Sequence, residues 1–436
     1  LQAQAAGINP DCRMNPVLLK PSTDRGSQVI VLGRPAGFVE AKDFGSLRAR
    51  LWERVTGAYA SLSAEHGVMV LEGAGSPGEI NLKKNDIVNM AMAREAGAKV
   101  LLAGDIDRGG LYASFLGTWL TFTPEERRLL AGFLVNRFRG DPSLLAPAHE
   151  YLDRATGAPV LGVIPYIRSL NLPEEDSLSW NGALNAPSAE PDALNVAVVI
   201  LGHTSNYTDM APLAMEPDVN LRAVRRPSEW GRPDLVIIPG SRNTALDLAK
   251  LRESGLDALI RLHAEKNGWT LGICGGMQIL GEKIRDPLSV ETRQKSTDGL
   301  GLLPLETELA SAKTLRRVEN VATPLGVPAS GYEIHHGVTR PTAEGLTFFG
   351  KEEEEGAVLG AGRGRCWGTY LHGLFDNDAF RRAFLNRVRS SLGLAPREAG
   401  LVSYDTERAI SRLASIVRGH TDMDAIYRIL GLKGRR

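Results

Sequence analysis

Short apolar runs that end in Gly, Asp or Pro and then give way to helical patterns recur along the chain. They read VMVLEGAG, AKVLLAGDID, LAGFLVNRF, APVLGVIPY, LNVAVVILG, PDLVIIPGS and WTLGICGG. Strands that are apolar throughout are buried on both faces, and parallel neighbours need helical crossovers between them. The pattern therefore predicts an α/β protein built on parallel sheets. A length of 436 residues argues for two or three domains. The stretch RSLNLPEEDSLSWNGALNAPSAEPDAL, residues 168–194, has no periodicity and is rich in Pro, Asn, Ser and acids, so it reads as a linker. It separates a first unit, 1–167, from a second, 195–393. Residues 394–436 read as one or two amphipathic helices packed on the outside, and KEEEEG at 351–356 reads as a solvated turn.

Composition narrows the functional classes. Fifty-one basic residues balance fifty-one acidic ones, so no overall field favours nucleic acid or an anionic membrane, and small-molecule chemistry becomes the default. No apolar run approaches the ~18 residues that span a bilayer, and LQAQAAGINPDC lacks a basic-then-apolar signal pattern, so a cytoplasmic protein is expected. The three cysteines, Cys12, Cys274 and Cys366, have no short spacing that suggests a disulfide framework or a zinc site.

Two stretches carry chemistry. In VMVLEGAGSPGEINL, Val68 to Leu82, an apolar strand is expected to run into Glu72 and a glycine-broken loop. An acid at a strand end is a common way to hold Mg²⁺ beside phosphates, normally paired with a phosphate loop earlier in the chain. No G-x-x-x-x-G-K-[ST] motif occurs anywhere. The sharper signal is WTLGICGGMQILG, Trp269 to Gly281, where a buried strand ends in Gly-Ile-Cys-Gly-Gly and a helix begins at once. That is a nucleophile elbow with Cys274 in the serine position. It exposes the sulfur at the helix start and offers the Gly275 N–H to a developing oxyanion. A buried structural cysteine is the alternative, but an inert thiol needs no flanking glycines. Of eight histidines, His372 is the preferred base, because the strand-like CWGTYLHG carries it to a strand end. Cys366, inside that strand, is expected in the core.

LGICGGMQILG with GTYLHGLF resembles the class I glutamine amidotransferases. EGAGSPGEINL, DIDRGG, LVNRFRGD, SNYTDM, IIPGSRNT, GYEIHHG and MNPVLLKP, in this order, are similar to the cobyric acid synthase family along the whole chain. The resemblance implies a synthetase domain like that of dethiobiotin synthetase, of the phosphate-loop NTPase class, joined to an amidotransferase domain. It implies amidation of the b, d, e and g carboxylates of adenosylcobyrinic acid a,c-diamide, with ATP and Mg²⁺, glutamine as ammonia donor and no tightly bound prosthetic group. By the same resemblance Cys274 is the nucleophile, His372 its base, and the Gly240 N–H joins that of Gly275 at the oxyanion. Glu72 is the Mg²⁺-associated acid. Asp105 and Asp107 border the phosphates or the substrate carboxylate, and Asn136 stands where related ligases contact adenine. On sequence alone, acids capping a loop are the alternative reading of Asp105 and Asp107, and Asn136 reads equally as a turn.

Related amidotransferases place a Glu two residues after the histidine. Here Leu374 occupies that position, so a Cys-His dyad is expected. SNYTDM and GYEIHHG are assigned no chemical step, and His336 stands where the family would carry Met. The chain opens on Leu1 and its first residues resemble an interior part of the synthases. The expectation is that the phosphate-loop segment is absent, leaving glutamine hydrolysis without complete amidation and a first domain less stable than the second. Two alternatives remain open: the sister synthase that amidates the a and c carboxylates, and a decayed, non-catalytic binding protein.

Overall fold

Leu194–Val199, expected as a strand buried on both faces, is one, with Val196, Ala197, Val198 and Val199 all fully buried. The computed structural model describes residues 1–436 other than 24–25, 41–43, 168–169, 171, 173–187, 189, 351–355, 399–401 and 433–436. Most of the expected linker and residues 351–355 of the acidic turn therefore lie outside the described residues. The chain divides into two units, Leu1–Leu170 with Thr406–Arg436, and Asn171–Asp405. Both rest on parallel sheets alternating with helices, so the α/β class holds in each. The residues after 393 divide, those to 405 belonging to the second unit and the rest to the first.

The first unit opens on something the apolar pattern does not anticipate, an antiparallel meander of β1 (Val17–Thr23), β2 (Gly26–Val31) and β3 (Arg34–Glu40). Val29 and Val39 of the meander pack on Leu51 and Val55 of the helix Phe44–Glu65. A parallel sheet follows, β4 (Val100–Asp105), β5 (Leu130–Phe138) and β6 (Val160–Pro165). Its core sets Phe133 and Val135 of β5 against Leu111, Phe115 and Leu152 from the helices that connect the strands. The free edge of β6 is covered by the turn between the helices Thr406–Gly419 and Met423–Ile429. There Val163 N–H donates to the His420 carbonyl at 3.1 Å and Asp422 N–H to that of Leu161 at 2.7 Å. A side chain on Gly162 would meet Thr421 Cγ2 at 2.5 Å, so this approach requires glycine.

One expected strand does not form. Val68–Leu71 has no strand pairing, and Val70 is 87% exposed. An apolar run becomes a strand only where a neighbour takes up its N–H and C=O groups, and among the described residues β4 pairs with β5 alone.

In the second unit the strands are β7 (Leu194–Val199), β8 (Thr204–Ser205), β9 (Val219–Val224), β10 (Leu235–Ile238), β11 (Gly240–Ser241) and β12 (Trp269–Ile273). They continue with β13 (Lys283–Arg285), β14 (Ser296–Asp298), β15 (Leu305–Val321), β16 (Ala329–Pro341), β17 (Thr347–Phe349), β18 (Gly360–Arg363) and β19 (Cys366–Thr369). Seven of them form the central sheet in the order β17-β18-β19-β12-β10-β7-β9, parallel from β19 to β9. A long β15–β16 hairpin, with β13 and β14, builds a second sheet. The helix Asp378–Ser391 turns Phe380 and Phe384 into the core, where Phe384 packs on Trp269 and Trp367. The same helix buries three arginines against acids near β9. Arg382 grips Asp218 through two bonds of 2.9 Å and also contacts Glu216. Arg381 donates to Glu216 at 2.7 Å, and Arg389 reaches Asp218 at 3.3 Å.

Candidate active site

The C-terminal ends of β10, β12 and β19 gather the second unit's functional residues because the three strands are parallel neighbours. Cys274 follows β12 directly, and its N–H donates to the Thr369 carbonyl on β19 at 2.8 Å. Its backbone is strained, φ 52° and ψ −110°, in the left-handed half of conformational space that a non-glycine residue rarely occupies. This is the expected elbow. The turn closes only because its neighbours lack side chains: a Cβ on Gly276 would lie 1.9 Å from the Ile238 carbonyl oxygen, and one on Gly272 2.5 Å from the Gly276 backbone. The thiol is buried and donates to the Ile334 carbonyl on β16 at 3.8 Å.

His372 stands three residues beyond β19, 1% exposed. Its Nδ1 is 2.7 Å from Asp209 Oδ2, and the other oxygen of that carboxylate accepts the Gly373 N–H at 2.9 Å. Nε2 is buried without a hydrogen-bond partner. The Cys274 sulfur is near enough to act on the ring's charge without making a regular hydrogen bond to it. Burial disfavours the charged imidazole, but the adjacent Asp209 carboxylate outweighs it and, with Cys274, pushes the ring up to about 10. Tyr332 stacks on the imidazole with centroids 5.3 Å apart, and its backbone exchanges hydrogen bonds with that of His372 at 2.9 and 3.1 Å.

The two expected oxyanion donors are Gly275 and Gly240. Gly275 opens the short helix Gly275–Leu280, so its N–H has no partner within that helix. Gly240 pairs with Ser205 in the β8–β11 ladder, and a Cβ placed on it would be 3.5 Å from His372 Cε1. Beneath the elbow, Gln278 accepts from the Thr244 hydroxyl at 3.0 Å and donates to the Tyr370 hydroxyl at 3.0 Å. His335 stacks on Tyr370 and faces Glu333 at 3.0 Å. These polar groups pin the elbow from below. Cys366 lies in the core, and burial pushes its thiol up to about 12.

Sequence reasoning missed Asp209 as the partner of His372. It had singled out SNYTDM and GYEIHHG without a role, and the structure brings Asp209 and Tyr332 of these motifs to the imidazole. The signal available was an acid and an aromatic in polar motifs that fit neither a strand nor an amphipathic helix. His336 is half-buried, its Nδ1 3.1 Å from the Ala310 carbonyl.

In the first unit the ends of β4 and β5 bring Asp105 and Asn136 into register as a paired couple. Asp105 accepts the Asp107 N–H at 3.0 Å and pairs with Arg137 at 3.3 Å, while Asp107 pairs with Arg139 at 3.0 Å. Asn136 accepts the Arg137 N–H at 2.9 Å. Glu72 is placed differently from the expectation. It sits in the irregular stretch after residue 66, exposed, and accepts from Gln2 at 2.7 Å rather than ending a buried strand. Among the described residues no group of three or more His, Cys, Asp or Glu side chains is arranged to hold a metal ion, and no helix is long and apolar enough to cross a membrane.

Comparison with known proteins adds the following. Residues 195–380 match the model of the CobB/CobQ-like glutamine amidotransferase domain. The whole chain is 46% identical to a cobyric acid synthase of Nitratidesulfovibrio vulgaris, covering 88% of that protein. It is 45% identical to a cobyric acid synthase of Moorella thermoacetica over 99% of this chain and 86% of the other. Among solved structures, a glutamine amidotransferase crystal structure aligns with a TM-score of 0.35 at 16% identity, covering 45% of this chain and 98% of that one.

Proposed function

Because this chain belongs to the cobyric acid synthase family, we propose that it takes part in the ATP- and glutamine-dependent amidation of the b, d, e and g carboxylates of adenosylcobyrinic acid a,c-diamide. The observation that carries the reading is a cysteine on a strained elbow beside a buried histidine whose Nε2 has no other partner. In this reading His372 Nε2 holds the proton of Cys274 before the reaction starts, and the sulfur attacks the glutamine amide carbon as the thiolate. The Gly240 and Gly275 N–H groups stabilise the oxyanion. Collapse breaks the C–N bond, and ammonia leaves with the proton from Nε2. Water then cleaves the thioester, giving glutamate and restoring the thiol.

A carboxylate is a poor electrophile, and ATP supplies the phosphoryl group that activates it. The first unit's Asp105, Asp107 and Asn136, gathered at the strand ends, are the residues proposed to face nucleotide or substrate there. Asp105 and Asp107 already hold arginines, so a cation at this edge would compete with Arg137 and Arg139. The exposed Glu72 carboxylate is the Mg²⁺-associated group of this proposal only if Gln2 releases it.

The test is glutamine hydrolysis by the purified chain. Glutamate release is expected, and the same assay with asparagine should give no turnover. A chain that binds no glutamine and releases no glutamate would refute the reading in favour of a decayed, non-catalytic relative. Incubation with Mg-ATP and either cobyrinic acid or its a,c-diamide, followed by mass spectrometry, separates this reaction from that of the sister synthase.

A further inference from the structure

We propose that Asp209 is the positioning residue of the hydrolytic pair, holding Nδ1–H of His372 so that Nε2 faces Cys274. This rests on reading Cys274 and His372 as the site of glutamine hydrolysis. The position where related enzymes carry an acid, two residues after the histidine, is Leu374, a fully buried apolar side chain. The carboxylate instead arrives from 163 residues earlier in the chain.

Four observations favour this role over a merely structural one. First, both carboxylate oxygens are spent on one small target, the ring at 2.7 Å and the next residue's N–H at 2.9 Å, which fixes the ring's rotation as well as its tautomer. Second, Asp209 is 3% exposed, and among the described residues its one ion-pair partner is His372. The buried Asp218, by contrast, is matched by two arginines. Third, the turn that presents it is built for the purpose: Asn206 takes the left-handed conformation, φ 53°, ahead of the 3₁₀ turn Tyr207–Met210. The Asn206 amide donates to the Tyr332 hydroxyl at 2.9 Å, and Tyr332 stacks on the imidazole, so one turn clamps the ring from its edge and its face. Fourth, only Nε2 is left open. Asp209 takes no proton at any step; it stabilises the imidazolium that forms when Nε2 accepts one.

The other groups around this carboxylate are acids, phenols and one guanidinium. Asp376 of the turn Leu374–Asp376 is pushed up to about 7 by burial and by Asp209 itself, while Arg381 opposes that shift and Asp378 adds to it. Tyr332 on β16 is pushed up to about 12 by burial and Asp209, and Tyr404 is raised by burial and by Asp376 and Asp209. None of these replaces the Asp209 charge at Nδ1: Asp376, Tyr332 and Tyr404 are held away from ionising near Asp209, and Asp378 is paired with Arg381 at 2.8 Å.

The experiment compares Asp209→Asn and Asp209→Glu in the full chain. For Asp209→Asn, kcat for glutamine hydrolysis should fall on the order of 10³–10⁴-fold, with KM for glutamine little changed. The alkaline limb of the kcat profile, set by loss of the imidazolium proton, should move to lower pH by ~1–3 units. Asp209→Glu should recover much of kcat and return the limb toward its original position. Alkylation of Cys274 by iodoacetamide, read at that residue by mass spectrometry, should show the same displacement without turnover. If Asp209→Asn is too unstable to assay, Asp209→Ser, which also removes the carboxylate, decides with the alkylation profile: an unmoved profile overturns the proposal. An Asp209→Asn protein with unchanged kcat and alkaline limb also overturns it. Should Cys274→Ala itself retain hydrolysis, the reading of the site has failed, whatever Asp209 does.

Discussion

Cys274→Ala removes glutamine hydrolysis, with kcat lower on the order of 10⁴–10⁶-fold, while the protein stays folded. The size of the effect follows from the chemistry: without the sulfur there is no covalent intermediate, and His372 has no proton to accept. The small structural cost follows from the geometry. Alanine keeps the Cβ, so the strain at φ 52° is unchanged, and the thiol's contact with the Ile334 carbonyl at 3.8 Å is weak. Cys366→Ala is the control, since that thiol lies in the core with no elbow around it; it should leave kcat unaltered. Glutamate release and a melting curve for both variants check the pair of outcomes. Loss of activity in Cys366→Ala, or its retention in Cys274→Ala, would mean the nucleophile is misassigned.

The second large effect concerns stability. Arg382→Met leaves Asp218 and Glu216 buried with less compensation, which costs ~3–5 kcal/mol. For a unit of this size that lowers the melting temperature by about 6–20 °C. In the unaltered protein, burial works against the Asp218 charge, but Arg382 and Arg389 outweigh it and hold the carboxyl below its usual range. A depressed folded value means the stabilisation is complete above the ordinary value of 3.8 and is lost as pH falls through the folded one. The variant should reverse this trend. Protonating Asp218 removes the stranded charge, so the difference in melting temperature should shrink between pH 7 and pH 4. A constant difference across that range would show that packing, not charge, accounts for the loss.

What could be read from the sequence was what is encoded locally. The elbow is five consecutive residues, 272–276, each glycine excluded from bearing a side chain by atoms within 3 Å, and such a signature survives without any knowledge of the fold. His372 was found through its strand. Asp209 was not, because its meeting with the imidazole depends on the distance between the ends of β7 and β19, which no window of sequence contains. Val68–Leu71 failed for the complementary reason: its composition suits a strand, but composition cannot say whether a partner edge is present. The meander β1–β3 was overlooked because Pro16, Pro21 and Pro35 break the apolar pattern, although antiparallel edge strands tolerate them.

The turn that covers the edge of β6 comes from residues 420–422, whereas β6 itself ends at Pro165. On a ribosome these segments are separated by the synthesis of residues 171–405, on the order of 10–50 s at ~5–20 residues per second. Throughout that interval the last strand of the first sheet shows an unpaired edge, while the second unit can complete its own sheet as soon as β19 has emerged. The second unit is therefore finished first, although most of the first precedes it in the chain, and the nascent first unit is the stage at which a chaperone or a mispaired strand would find this protein.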